Sequence, residues 1–372
     1  MTSLISPAPR LNLHFARTLA DQIGRRDNSI DQLRLFAALA VVLGHSWHLT
    51  LGPEARPPLQ DYTVFGFHSL AVHVFFFLSG LLVTESARRH AGSPLRYIAK
   101  RTLRIFPALV VNAVAVPIVL VAVGAWTGVG AAEMARYALR LVTLFTIEFA
   151  HPGAFAHAPF AGAINGSVWS LRYEILVYGL LIGASLCGAL ERPWRRAGFL
   201  ALLLVIVLAG YGVAPHAKGG ALYVLAEGRH VLFSFLLGVA AHQFAGRIPL
   251  HPVVGIPGIA LVVAGAVLGN TMLRETGVIW LTCTATLLLA FPAGRCRKLP
   301  HDISYGVYIY SWPLQQLTVF LAATRFGVAL SPVALFLICV GPLILIALAS
   351  WSWIEKPALA LAAPRSSRFP RS

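Results

Sequence analysis

Two ionisable side chains stand in stretches otherwise apolar enough to cross a bilayer. His45 lies in the run 30–50, separated from Arg34 by ten residues, and Glu174 follows Trp169-Ser170-Leu171-Arg172-Tyr173 near the start of another apolar run. Such groups are costly in a hydrocarbon core and mark function by default. At about 1.5 Å of rise per residue, His45 sits roughly 21 Å up from Asp31 in a core about 30 Å thick. Entering from the other side, Glu174 lies roughly 9 Å below the opposite face, at a matching depth. A carboxylate that accepts from one imidazole nitrogen fixes the tautomer and leaves the other as a base, which is the chemistry of a general-base pair. Two plainer readings stand beside it. An intramembrane histidine can equally bond a neighbouring helix, and Arg172 can neutralise Glu174 locally.

A second group is cationic. Arg34 is one turn inside the first run, while Arg101 and Arg104, three apart and so on one helix face, stand at the entry to the third. Each alone reads as a rim anchor with its stem in the apolar layer. Converging, the three would make a phosphate site, because guanidinium groups bind phosphate oxygens bidentately. Weaker signals are His73 and Ser79 in the segment 71–80, the Glu227 and Arg229 pair, and the aromatic, Pro313-interrupted segment 304–313. Packing and interface roles are the default for these.

The elements that must position these groups follow from composition. The 372 residues are 57% hydrophobic and 12% charged, with a mean hydropathy of +0.73; soluble domains carry about 25% charged residues. The pattern predicts an all-α polytopic membrane protein. Apolar runs near 30–50, 69–87, 105–126, 167–190, 197–214, 221–244, 252–270, 276–293, 302–323 and 329–353 predict about ten transmembrane helices. Arginine and lysine concentrate in alternate connections, at Arg10, Arg17, Arg25 and Arg26, at 88–104, at 192–196, at Arg247, at 295–298 and beyond Lys356. Both termini are therefore expected to be cytoplasmic. No continuous apolar leader precedes residue 30, so the first span is expected to be retained.

The segment 137–148 is too short to span and reads as an interfacial or re-entrant helix. The organisation expected is a cytoplasmic segment 1–29, one membrane domain 30–353 and a basic cytoplasmic tail 354–372. The net charge of +16 belongs to short loops rather than to a solvated domain, which argues against nucleic acid. Cys187, Cys283, Cys296 and Cys339 are scattered, and no metal site is expected.

An ordered set of motifs carries a resemblance. These are Ile30-Asp31-Gln32-Leu33-Arg34 with His45 after ten residues; Val74-Phe75-Phe76-Phe77-Leu78-Ser79-Gly80-Leu81; Arg101-Thr102-Leu103-Arg104-Ile105-Phe106-Pro107; Ser167-Val168-Trp169-Ser170-Leu171-Arg172-Tyr173-Glu174; and Ile303-Ser304-Tyr305-Gly306-Val307-Tyr308-Ile309-Tyr310-Ser311-Trp312-Pro313. Together they resemble the acyltransferase-3 family of integral-membrane O-acyltransferases, of the O-antigen and exopolysaccharide acetylase type. The resemblance implies acetyl-CoA, or another acyl-CoA, as donor, with its phosphates at Arg34, Arg101 and Arg104. It further implies a sugar or glycan hydroxyl as acceptor, His45 as the catalytic base, and a bacterial inner-membrane location, while the depth match adds Glu174 as the catalytic residue that orients the ring. His73, Ser79, Trp169 and Tyr173 are expected on the acceptor side. Two positions depart from the family pattern, His73 where an acid is common and Gln32 where glycine is common, and both bear on which acceptor is used. A transporter or flippase, with His45 and Glu174 relaying protons, is the competing reading, against which stands the lack of an internal repeat. A non-enzymatic scaffold for glycan assembly is the third.

Overall fold

Proline opens several helices where a missing N–H costs nothing, at Pro94, Pro193 and Pro332. Side-chain caps open others: Asn270 accepts from the Leu273 N–H and Ser331 from the Ala334 N–H. The computed structural model describes residues 17–25, 27–90, 92–144, 150–294, 296 and 298–362. Arg10, Arg26, Arg295, Arg297, Arg365, Arg368, Arg371 and the end of the 137–148 segment lie outside the described residues.

The helices are α1 (Ile30–Leu51), the single turn α2 (Gln60–Thr63), α3 (Phe67–Arg89), α4 (Pro94–Ala122), α5 (Ala131–Thr143), α6 (Leu171–Leu186), α7 (Pro193–Val213), α8 (Gly220–Gln243), α9 (Ile256–Val267), α10 (Thr271–Ala290), α11 (Ser304–Phe326) and α12 (Pro332–Ser350). A π-helical turn, Trp351–Glu355, leads into α13 (Lys356–Leu361). Among the described residues the only β-type pairings are isolated bridges.

Among the described residues seven helical stretches are long and apolar enough to cross a membrane: α1, α3, α4, α7, α8, α10 and the α12–α13 stretch. The other three predicted runs also hold helices. However, α6 has 16 residues and α9 has 12, while α11 carries Tyr305, Ser311, Gln315 and Gln316 along its 23. Large apolar side chains stay exposed on α7, α9 and α12, among them Val205, Val267 and Leu345, as lipid-facing surfaces require. The protein is thus an all-helical integral membrane protein. The short helix expected over 137–148 begins earlier, at Ala131, and stops at Leu144, whose φ of 59° breaks the helix. It buries Tyr137 and Leu141 and leaves Leu139 exposed, as an amphipathic segment does.

α3 and α8 are pressed together at Gly80 and Gly238. A methyl group on Gly80 would meet the carbonyl of Phe235, and one on Gly238 the carbonyl of Phe77. Both obstacles are backbone, so no side-chain rotation relieves them. Gly238→Ala is therefore expected to lower stability by about 1–3 kcal/mol. Gly183→Ala on α6, where the added carbon meets nothing within 4 Å, is expected to leave stability unchanged or raise it by up to about 1 kcal/mol. Thermal unfolding of the detergent-solubilised variants checks the contrast.

Proline within α11 creates a second demand. Pro313 lacks the N–H that the carbonyl of Ile309 would accept, and an unpaired carbonyl in an apolar layer is costly. Asn112 of α4 and Asn165, just before α6, both donate to that carbonyl, at 3.2 and 3.1 Å, and Asn165 also donates to Asn112 at 3.0 Å. All are fully buried. The kink is thereby fixed against two other segments, which sets the aromatic residues on either side of Pro313.

Candidate active site

The cationic mouth comes first in the chain. Arg34 faces into the bundle from the second turn of α1, and Lys100, Arg101 and Arg104 come from the first half of α4. The structure brings the three predicted arginines to one cavity of about 500 Å³. It also brings two acids that the sequence reading missed. Asp302 binds Arg34 at 3.0 Å and Arg104 at 2.8 Å. Glu355, 1% exposed, lies 3.9 Å from Arg104 and accepts from the Ser350 hydroxyl at 2.9 Å. The π-helical turn at the end of α12 is what carries Glu355 inward, since a widened turn re-aims its side chains.

Arg101 is held differently. Its guanidinium lies over the rings of Tyr97 and Tyr178, at 5.9 and 5.4 Å, and reaches Ser86 Oγ at a long 3.4 Å. Its Nε is buried with no hydrogen-bond partner, and among the described residues no carboxylate pairs with it. A polyanion entering the mouth would find Arg101 free of competing carboxylate, with Arg34 and Arg104 fixed in place by Asp302. This donor set suits phosphate.

Inward from the mouth the cavity is lined by Phe75, Phe76, Ser79, Ser170, Glu174 and Tyr308, among others. Glu174, four residues into α6, accepts a short hydrogen bond from the Tyr178 hydroxyl one turn on. Arg172 does not neutralise it; that guanidinium turns to Glu227 at 4.0 Å. Ser170 and Tyr308 close the inner end through a 2.7 Å hydroxyl contact. Ser79 Oγ is buried there without a partner.

His45 stands deeper along α1. Eleven residues make just over three full turns, so Arg34 and His45 share a face about 16.5 Å apart. The imidazole packs edge-on against Trp312, with ring centroids 4.8 Å apart, and lies 6.3 Å from His68. Trp312 is one turn beyond Tyr308 on α11 and is anchored by its indole N–H to the Ala163 carbonyl at 3.2 Å. Gln315 ties α11 to α1 beside the histidine, donating to Ser46 Oγ at 2.6 Å and to the Val42 carbonyl at 3.1 Å. Gly44 matters here because any side chain would occupy the place of the His68 ring. His45 is 6% exposed, and its Nδ1 is buried with no hydrogen-bond partner.

The predicted pair is not hydrogen-bonded: among the described residues no hydrogen bond joins His45 to Glu174, Glu174 lines the cavity while His45 does not, and each has an aromatic neighbour instead. Three of the four residues expected on the acceptor side do not line the cavity. His73 is buried against Phe65 and bonds Ser234 Oγ through Nδ1 at 2.9 Å. Tyr173 donates to Glu227 at 2.7 Å, and Trp169 packs against Tyr173. Ser79 alone of the four faces the cavity. Tyr178, Tyr308 and Trp312 were not singled out by sequence reading, although Tyr308 and Trp312 stand inside the 303–313 motif.

The family model described as an acyltransferase domain matches residues 27–351. Nodulation protein 10 of Rhizobium leguminosarum bv. viciae is 28% identical over 361 residues, covering 90% of this chain and 94% of that protein. An O-acetyl transferase of Shigella phage Sf6 is 27% identical over 362 residues, covering 92% and 99%. Exopolysaccharide production protein ExoZ of Rhizobium meliloti (strain 1021) is 26% identical over 303 residues, covering 77% and 88%. No solved structure matches. Because the match runs from just before α1 to the end of α12, taking in the arginine mouth, Glu174 and His45, the chain belongs to the acyltransferase-3 family and is a membrane-embedded enzyme that transfers acyl groups.

Proposed function

We propose that the protein moves an acetyl group, or a similarly short acyl group, from acyl-CoA to a hydroxyl of a polysaccharide or other glycan in the bacterial inner membrane. The ten helical runs all span in this reading, with both termini and the arginine mouth on the cytoplasmic side. One observation carries it: a single cavity runs from Arg34, Arg101 and Arg104 to Glu174 and Tyr308, with His45 three turns above Arg34. Coenzyme A fits that span. From phosphate ester to sulfur its arm has 13 chain atoms, equal to about four peptide residues, or about 15 Å extended. Phosphates at the mouth therefore bring the thioester to the level of His45. The names of the relatives from the Shigella phage and from Rhizobium meliloti supply the acetyl group and the polysaccharide acceptor.

The chemistry then needs few groups. His45 takes the proton of the acceptor hydroxyl as its oxygen attacks the thioester carbon. The tetrahedral adduct collapses by breaking the carbon–sulfur bond, and the imidazolium returns the proton to the departing thiolate. Glu174, oriented by Tyr178, supplies the negative charge that offsets the imidazolium in a low-dielectric site. Tyr308 and Ser170 offer hydroxyl donors at the inner end, and Ser79 presents an unpartnered one. No metal takes part in this scheme.

The test is turnover of acetyl-CoA by the purified protein in lipid nanodiscs with a glycan acceptor, read as free coenzyme A thiol and as acceptor mass. Acceptor-dependent thiol release with a 42 Da gain on the acceptor is expected. Thiol release without acceptor modification, or none with any acyl-CoA, would sink the proposal.

A further inference from the structure

On the far side of α3 from the arginine mouth, at the same end of the bundle, lies a second cavity of about 290 Å³. Its walls come from the ends of α3 and α8, the start of α7 and the segment before α1, through Glu85, Arg88, Arg196, His242, Gln243 and Ile23. It shares no lining residue with the cavity described above.

Two features make it more than a gap between helix ends. The first is unmet hydrogen bonding. Both Nε2 and Oε1 of Gln243, Nδ1 of His242 and Nε of Arg196 are buried and have no partner. Four such atoms around one cavity are far from the usual state of a protein interior, where buried polar groups are paired. The second is charge. Glu85 is already claimed by Arg88 at 3.3 Å, Arg89 at 2.8 Å and His242 at 3.1 Å. The cavity lining holds two guanidinium groups, Arg88 and Arg196, against the single carboxylate of Glu85, which leaves the site cationic even with His242 neutral.

From this juxtaposition we infer that the second cavity binds a phosphate ester carrying free hydroxyl groups, its phosphate against Arg88 and Arg196 and its hydroxyls against Gln243 and His242. The amide of Gln243 offers N–H donors beside a carbonyl acceptor, which hydroxyl groups complement and a simple anion does not. Position favours a phospholipid headgroup such as phosphatidylglycerol as the source, because basic pockets among helix ends are where anionic headgroups reach protein. A soluble glycerol or sugar phosphate has the same chemistry.

The experiment uses the full-length protein in non-ionic detergent, stripped of native lipid, and counts bound molecules by native mass spectrometry. Phosphatidylglycerol, phosphatidylcholine and soluble glycerol 1-phosphate are the probes. One phosphatidylglycerol is expected to be retained in preference to phosphatidylcholine. Gln243→Leu and Arg196→Ala should each weaken retention by about tenfold or more. Gln243→Leu should also leave lipid-free thermal stability unchanged or higher, because it removes two unpartnered buried atoms, and this separates lost binding from lost folding. Glycerol 1-phosphate binding as tightly as the lipid would keep the site and assign it to a soluble ester. Failure of the wild type to hold either ester, or equal retention by both variants, would overturn the inference.

Discussion

His45→Ala lowers acyl transfer by about 10²–10⁴-fold, the range that a positioned general base contributes. The loss is expected in kcat, with the KM for acetyl-CoA nearly unchanged, because His45 stands three turns above the arginines that receive the phosphates. Packing alone predicts something different. As a wedge against Trp312, the ring could be replaced by glutamine with little effect, since that side chain fills similar space and keeps a polar end. His45→Gln is therefore expected to be as inactive as His45→Ala while unfolding at the wild-type temperature. The absence of a protein partner for Nδ1 supports this separation, because its removal breaks no hydrogen bond at that atom. Glu174→Gln should also lower kcat, since an amide can still accept from Tyr178 but carries no charge to offset the imidazolium. Full turnover by His45→Ala, measured as acceptor-dependent thiol release, would remove the histidine from the mechanism.

Much of this site was legible because a bilayer makes ionisable residues conspicuous. His45, Glu174 and the arginines are exceptional within apolar runs, and rise per residue is enough to place them in depth. Rotation about each helix axis is not available from depth. His45 is turned onto Trp312 and Glu174 onto Tyr178, a difference set by how α1 and α6 pack and not by their sequences alone. The same limit hid the role of Arg172, whose carboxylate is Glu227 on α8, 55 positions away, rather than Glu174 on its own turn. Asp302 and Glu355 escaped notice for a related reason. They lie at the edges of the last two apolar runs, where an acid reads as solvated, and each meets the arginines only across about 200 residues of chain or more. Their rarity was the available signal, since the chain has 14 acidic residues against 30 lysines and arginines. Among the described residues seven stretches met both length and hydropathy for crossing, while α11 fell short because it carries Ser304, Tyr305 and Tyr308 at the cavity and Ser311, Gln315 and Gln316 in its buried packing.

Arg104→Ala is expected to damage two properties at once, and separating them decides what the arginine does. Its guanidinium, 13% exposed, bridges Asp302 at 2.8 Å and approaches Glu355 at 3.9 Å. Removing it leaves Glu355, 1% exposed, without a cation, and a buried charge stripped of its partner costs about 3–5 kcal/mol. A large fall in thermal stability is thus expected whether or not coenzyme A binds there. The double variant Arg104→Ala with Glu355→Gln removes the stranded charge while keeping the hydrogen bond from Ser350, and is expected to regain most of the lost stability. Donor affinity should not return with it. A charge-assisted hydrogen bond to phosphate is worth about 1.5–3 kcal/mol, so the KM for acetyl-CoA should stay raised by about tenfold or more in single and double variants alike. Arg104→Lys gives the intermediate case, since an ammonium satisfies Glu355 as a point charge but cannot grip Asp302 and a phosphate with one planar fork. If the double variant regains stability and donor affinity together, Arg104 serves only to neutralise the two acids, and the phosphate contacts fall to Arg101, whose guanidinium has no competing carboxylate among the described residues.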